Sequence, residues 1–150
     1  NSSIKIGLFY EGELLSVMTF GKRKLFGDND WEMVRFCNKG GIQIVGGASK
    51  LLSQFIKDYK PSKIISFSSH DISNGNVYEK LGFTKENETT SSYWYVDKNF
   101  KRYHRYNFTK YRLVQDGYDV TKTEEQIMNE RGFLKIYDGG QSKYVLNLRN

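Results

Sequence analysis

Between Ile42 and Tyr59 a short apolar run, two adjacent glycines and an amphipathic run follow one another, a succession suited to holding anionic oxygen. Where a strand turns into a helix, free backbone N–H groups point outward, and the helix dipole adds partial positive charge there. Glycines at such a turn let a ligand approach backbone that a Cβ would screen, and Gly46 and Gly47 stand in that place. The segment is neither a P-loop nor a dinucleotide fingerprint, since both require further glycines at fixed offsets. A plain tight turn ahead of a helix would use the same residues.

A second constellation is electrostatic. Lys98 to Arg112 carries six Lys/Arg and no acid, interleaved with Phe100, Tyr103, Tyr106, Phe108 and Tyr111. Cations neutralise phosphates and release counterions, while exposed rings stack on unpaired bases. Lys101, Arg102 and Arg105 are the candidates in this stretch, with Lys22, Arg23 and Lys24 as a second basic group. The alternative is an element that buries its rings and shows its charges to water. The formal charge of +6 agrees with an anionic partner, nucleic acid or a phosphorylated cofactor, without choosing between them.

Other chemistries are poorly supplied. Cys37 is the only cysteine, which excludes an internal disulfide and a cysteine-based zinc site, and with His70 and His104 the only histidines no metal centre is expected. A reducing, cytoplasmic setting suits this usage. No apolar run approaches the roughly 20 residues that span a bilayer, so no membrane partner is expected.

The elements that must position these groups follow from hydrophobic period. Ile4 to Tyr10 and Leu14 to Phe20 read as a hairpin around Glu11-Gly12-Glu13. Trp31 to Cys37 reads as a third strand, with Trp31, Met33 and Arg35 on one side and Glu32, Val34 and Phe36 on the other. Leu51, Leu52, Phe55, Ile56 and Tyr59 then lie on one helical face, which Pro61 terminates. Strands over Lys63 to Ser68 and Ser92 to Val96 enclose a short helix, Asn76 to Leu81, stopped by Gly82. Thr121 to Glu124 has capping-box spacing and opens a helix to about Arg131, and two short strands surround Asp138-Gly139-Gly140. The order β-β-β-α-β-α-β predicts one α/β (α+β) domain with a core over residues 3–97: a mixed, mostly antiparallel sheet flanked by helices. A basic, aromatic-rich extension over 98–150 follows.

At Gln43-Ile44-Val45-Gly46-Gly47-Ala48 the chain resembles the Q/R-x-x-G-x-G/A motif of the GNAT N-acetyltransferases, and Ser49-Lys50-Leu51-Leu52 continues it as a helix. Tyr78-Glu79-Lys80-Leu81-Gly82-Phe83 resembles the Y-x-x-x-G-F that closes the family's second conserved block. The two motifs cover residues 31–96. WEMVRFC, VGGASKLL, SNGNVYEKLGF, YHRYNF and TEEQIMNERGFLKIYDGG look more narrowly like a GNAT-like domain of bacteriophage proteins, often attached to homing-endonuclease-type modules, and the start at Asn1 suits an excised domain. There is a distant likeness to Mom-type DNA modifiers.

This resemblance implies an acyl-CoA-dependent N-acyltransferase of an infected bacterial cytoplasm, acting on an amine, with nucleic acid among its candidate substrates. It implies that Gln43, Ile44, Val45, Gly46, Gly47, Ala48, Ser49 and Lys50 hold the pyrophosphate of acetyl-CoA or another acyl-CoA, with Asn76 beside the pantetheine arm. It implies Tyr78 as the acid that protonates the departing thiolate and Glu32 as the base that deprotonates the amine. The family's Asn seven residues before the tyrosine is replaced here by Asp71, next to His70, a second acid/base candidate. The alternative of a different class is a non-catalytic DNA-binding accessory domain that keeps the GNAT scaffold.

Overall fold

The computed structural model describes residues 2–22, 27 and 29–148, in two compact units: residues 1–89 with 141–150, and residues 90–140. The first unit is a six-stranded sheet carrying two helices. Its elements are β1 (Ile4–Tyr10), β2 (Glu13–Gly21), β3 (Asp30–Asn38), α1 (Gly47–Tyr59), β4 (Lys63–Ser69), α2 (Asn76–Lys80) and β5 (Thr84–Thr89). Its last strand, β9 (Gln141–Asn147), comes from the end of the chain, so the strand order is β1-β2-β3-β4-β9-β5. The expected boundary near residue 97 is therefore not where the chain divides: Thr90–Gly140 leaves the sheet and Gln141–Asn147 returns to it between β4 and β5.

All sheet pairs are antiparallel except β3 with β4, which α1 joins as a crossover. That parallel pair is short. Asp30, Trp31 and Glu32 face Lys63, Ile64 and Ile65, and no register pair follows, although β3 runs on to Asn38 and β4 to Ser69. The two strands part beyond Glu32, and the sheet has a notch in its middle. The Ser66 hydroxyl donates to the Met33 carbonyl at 2.8 Å across the base of this notch.

One apolar core lies between the sheet and its helices. Leu51, Leu52 and Phe55 of α1 are buried against Met18, Phe20, Trp31, Met33 and Ile64, with Tyr78 and Leu81 at its margin. Phe55 is fully buried, stacks on Phe20 at 3.5 Å and meets the edge of Trp31 at 5.3 Å. The expected apolar face of α1 is thus the packed one, and the helix ends where Lys60 turns left-handed (φ 44°) before Pro61.

The face assignment of β3 needs one correction. Thr19 pairs with Arg35 but Phe20 pairs with Met33, so Val34 is the extra residue of a β-bulge. The alternation flips there. Phe36 packs beside Trp31 and Met33 on the helix side rather than with Glu32 on the opposite face.

The second unit is a three-stranded sheet in the order β7-β6-β8, built from β6 (Tyr93–Val96), β7 (Arg102–His104) and β8 (Leu134–Tyr137). Between β7 and β8 come a 3-10 turn (Arg105–Phe108), α3 (Lys110–Gln115) and α4 (Glu124–Glu130). Its core is Tyr95, Leu113, Ile127 and Met128, flanked by Tyr93, Phe108 and Phe133. The capping box lies two residues later than its expected place. Thr123 is the N-cap of α4, its hydroxyl accepts the Gln126 N–H at 3.2 Å, and the Gln126 side chain accepts the Thr123 N–H at 2.8 Å. Thr121 instead donates to Asp119.

Candidate functional site

The glycine turn ahead of α1 opens a cavity of about 420 Å³. Gly46 is the N-cap of α1 at φ 73°, a backbone region that L side chains rarely enter, and nothing lies within 4 Å of the position its Cβ would take. Gly47 has a different reason: a Cβ there would stand 2.9 Å from Ile44 Cγ2, so its absence lets the turn fold onto itself. Lys50 N–H closes the first helical bond to Gly46 O at 3.0 Å, and Gly47 N–H reaches Ile44 O at 3.3 Å. The N–H groups of Ala48 and Ser49 have no bonded acceptor among the described residues, and both residues line the cavity. No acidic side chain occupies the first turn of this 13-residue helix.

Those two donors at the positive end of a helix, an empty space over Gly46 and a nearby cation are an arrangement chemically suited to anionic oxygen. The cation is Lys80 of α2, on the far wall with Val77 and Leu81; Phe36 and Asn38 of β3 close the cavity below. Of the expected cofactor residues, Gln43, Ile44, Val45, Gly46, Ala48 and Ser49 line this cavity. Gly47 is buried outside the lining, Lys50 is exposed outside it, and Asn76 sits at the start of α2 with its N–H on Asn74 Oδ1. The sequence reading passed over Lys80, and its only signal was its place inside the Y-x-x-x-G-F segment, one helical turn from Asn76.

On the opposite face of the sheet, the notch holds a second cavity of about 250 Å³ lined by Glu32, Met33, Val34, Phe67 and Gln141. Glu32 is 7% exposed, while Val34, the bulged residue, and Phe67 lie beyond the last β3–β4 register pair. Tyr78 approaches the same point from the helix side. Its hydroxyl donates to the Phe67 carbonyl at 3.3 Å, and its ring stacks on Tyr144 at 4.8 Å. Glu32, expected as the base, thus shares a cavity with Phe67, and Tyr78, expected as the acid, bonds the Phe67 carbonyl.

His70 follows the end of β4 and lines a shallow open cavity with Asp71 and Asn74. One ring nitrogen is 2.7 Å from the buried Ser142 hydroxyl, which in turn reaches Glu88 at 3.4 Å. The Lys85 ammonium, hydrogen-bonded to Glu88, holds that carboxyl below its ordinary range.

The basic candidates divide between the units. Lys22 of the first unit stands over the Trp31 ring at 5.0 Å, and Arg23 and Lys24 lie outside the described residues. In the second unit Lys101 covers Tyr103 at 5.2 Å, Arg102 covers Trp94 at 4.8 Å, and Arg105 covers Tyr93 at 5.2 Å and Tyr106 at 5.3 Å. Within the 98–112 stretch Tyr103 and Phe108 pack inward, while Phe100, Tyr106 and Tyr111 are exposed. No group of three metal-ligating side chains occurs among the described residues, and none of their helices is long and apolar enough to cross a membrane.

No protein-family profile and no curated protein matches the chain at the level of sequence. Solved structures do match its fold. The ribosomal-protein-S18-alanine N-acetyltransferase from Escherichia coli is 9% identical, with a TM-score of 0.55 over 98% of this chain and 70% of that one. A GNAT-family acetyltransferase from Bacillus anthracis is 15% identical, with a TM-score of 0.51 over 95% of this chain and 65% of that one. The acetyltransferase from Bacillus subtilis, solved in complex with CoA, is 16% identical, with a TM-score of 0.51 over 94% of this chain and 74% of that one. The chain has the mixed α/β fold of the GNAT N-acetyltransferases.

Proposed function

We propose that the protein is an acyl-CoA-dependent N-acyltransferase. The observation that carries this reading is the pairing of two features: a diphosphate-sized cradle with free N–H donors on one face of the sheet, and a buried carboxylate at the notch on the other. A bound acyl-CoA supplies the thioester that an amine can attack. Ala48 N–H, Ser49 N–H and the Lys80 ammonium hold its diphosphate oxygens, and Phe36, Val77 and Leu81 shelter the arm. Glu32, through a carboxylate oxygen, takes the proton of the incoming amine. The Tyr78 hydroxyl, parked on the Phe67 carbonyl, gives its proton to the leaving sulfur. The fold shared with a CoA-bound acetyltransferase supports the cofactor class. The resemblance to phage and Mom-type proteins supports a nucleic-acid amine as acceptor, in the cytoplasm of an infected bacterium.

The second reading is a non-catalytic, nucleic-acid-binding accessory domain on the same scaffold. Asp71 in place of the family's Asn, and the position of Asn76 outside the cavity lining, favour it.

Calorimetric titration with acetyl-CoA and free CoA separates the two. The first reading expects micromolar binding that Ser49→Glu weakens by at least about tenfold, since a carboxylate beside the diphosphate repels it. The same substitution leaves the melting temperature unchanged or slightly raised, because an acidic residue in the first turn complements the helix dipole. Absence of binding at millimolar CoA would overturn the first reading and leave the second to be tested with nucleic acid.

A further inference from the structure

We propose that the open face of the small sheet in the second unit is a binding site for single-stranded polynucleotide, whose unpaired bases stack on its rings while its guanidinium groups hold phosphates. The proposal goes beyond acyl transfer and stands or falls separately from it.

Strand register sorts the side chains of this sheet. Trp94 pairs with His104 and Ile136, and Val96 pairs with Arg102 and Leu134, so these six share one face. Tyr95 and Tyr103 alternate onto the other face, which packs on Leu113, Ile127 and Met128. The first face is open to solvent. Arg102 and His104 are exposed, Leu134 is 70% exposed and Ile136 is 37% exposed.

Across it runs a continuous series of flat groups. The Arg102 guanidinium lies over Trp94 at 4.8 Å, Trp94 meets His104 edge-on at 4.8 Å, and His104 stacks on Tyr106 at 4.9 Å and 24°. Arg105 stands at the edge of the series, 5.3 Å from Tyr106, a residue 60% exposed, and 5.2 Å from Tyr93 of the packed face. The Tyr106 backbone N–H bonds the His104 ring at 3.4 Å, which caps the 3-10 turn that carries Tyr106. A rigid aromatic platform loses little freedom when a base stacks on it, and every base offers a π face.

The charges beside the series, Arg102 in the field of Asp138 and Arg105 hydrogen-bonded to Tyr106 in the field of Glu124, lie where a phosphate can reach them. Among the described residues both guanidinium groups lie over rings and form no carboxylate ion pair. The nearby acids, though within the field of these cations, direct their hydrogen bonds to other groups. Asp138 accepts the Ser92 and Gly140 N–H groups and the Trp94 indole N–H, and Glu124 accepts the Tyr93 and Tyr95 hydroxyls. A duplex keeps its bases paired and could use the cations alone; the rings call for a single strand.

The test uses the whole chain and labelled oligo-dT, oligo-U and a duplex of about 20 nucleotides or base pairs, read by anisotropy and by tryptophan quenching. Expected are micromolar binding of the single strands, weaker binding of the duplex, and a quench that Trp94→Phe abolishes. Tyr106→Ala and Arg102→Ala should each weaken binding about tenfold, and Arg102→Ala should also reduce the salt slope by about 0.7. His104→Ala, another exposed position, serves as the second ring variant if Tyr106→Ala perturbs the circular dichroism. A preference between oligo-dT and oligo-U would name DNA or RNA as the source. Absence of binding at about 0.1 mM strand, or equal affinity for duplex with no effect of the ring variants, would overturn the proposal.

Discussion

The Tyr78 hydroxyl donates to the Phe67 carbonyl at 3.3 Å, at the level where β4 has parted from β3. Phe67 also lines the notch cavity with Glu32, so one residue separates a phenol on the helix face from a buried carboxylate on the other. If these two groups are the acid and the base, removing either should slow the chemical step and spare cofactor binding. For Glu32→Gln the expected loss in kcat is about 10²- to 10⁴-fold. Tyr78→Phe should lower kcat while leaving the dissociation constant for acetyl-CoA unchanged. Thiol release with an amine acceptor, alongside calorimetry, measures both; unchanged turnover in the two variants would remove them from the mechanism.

Gly75, the N-cap of α2, holds the Tyr78–Tyr144 stack in place. Its φ is 80°, and a Cβ there would lie 2.0 Å from the Tyr144 hydroxyl oxygen. Gly46 has a similar φ of 73° with open space around it. Alanine at Gly46 should therefore cost only the left-handed backbone penalty, about 1–2 kcal/mol. Alanine at Gly75 adds an overpacking cost of about 1–3 kcal/mol, because Tyr144 is buried under the stack. Urea denaturation of the two variants reads the difference; equal destabilisation would show that Tyr144 yields freely.

Much of this architecture is legible in the residues. The face of α1, its end at Pro61, and the strands over 4–10, 14–20 and 63–68 all follow from period and turn chemistry, as does the glycine turn at 46–47. What escapes is non-local. The bulge at Val34 depends on register with β2 and reverses the side of Phe36. β5 has no alternation to read, because Thr84–Thr89 is an edge strand exposed on both faces. The return of Gln141–Asn147 between β4 and β5 is a pairing across the intervening unit, and no local propensity encodes it. In the candidate site, the loop was readable because its glycines are local, whereas Lys80 joins it only through tertiary packing.

Asp138 links the stability of the second unit to pH. Its side chain accepts the Ser92 N–H at 2.8 Å, the Gly140 N–H at 3.1 Å and the Trp94 indole N–H at 3.3 Å. The Ser92 bond, foremost among these contacts, holds the carboxyl below its ordinary range. The folded state thus favours the ionised form, and the resulting stability is complete above the unfolded-state value of 3.8 and disappears as pH falls through the lower folded-state value. Asp138→Asn keeps a neutral acceptor but loses the charge. Wild type should melt above this variant by a constant margin from about pH 7 to about pH 5, and the margin should shrink progressively as pH falls below 3.8. Melting curves at these values decide it. A margin that stays constant through the acid range would mean that Asp138 acts through geometry alone, with no preference for its ionised form.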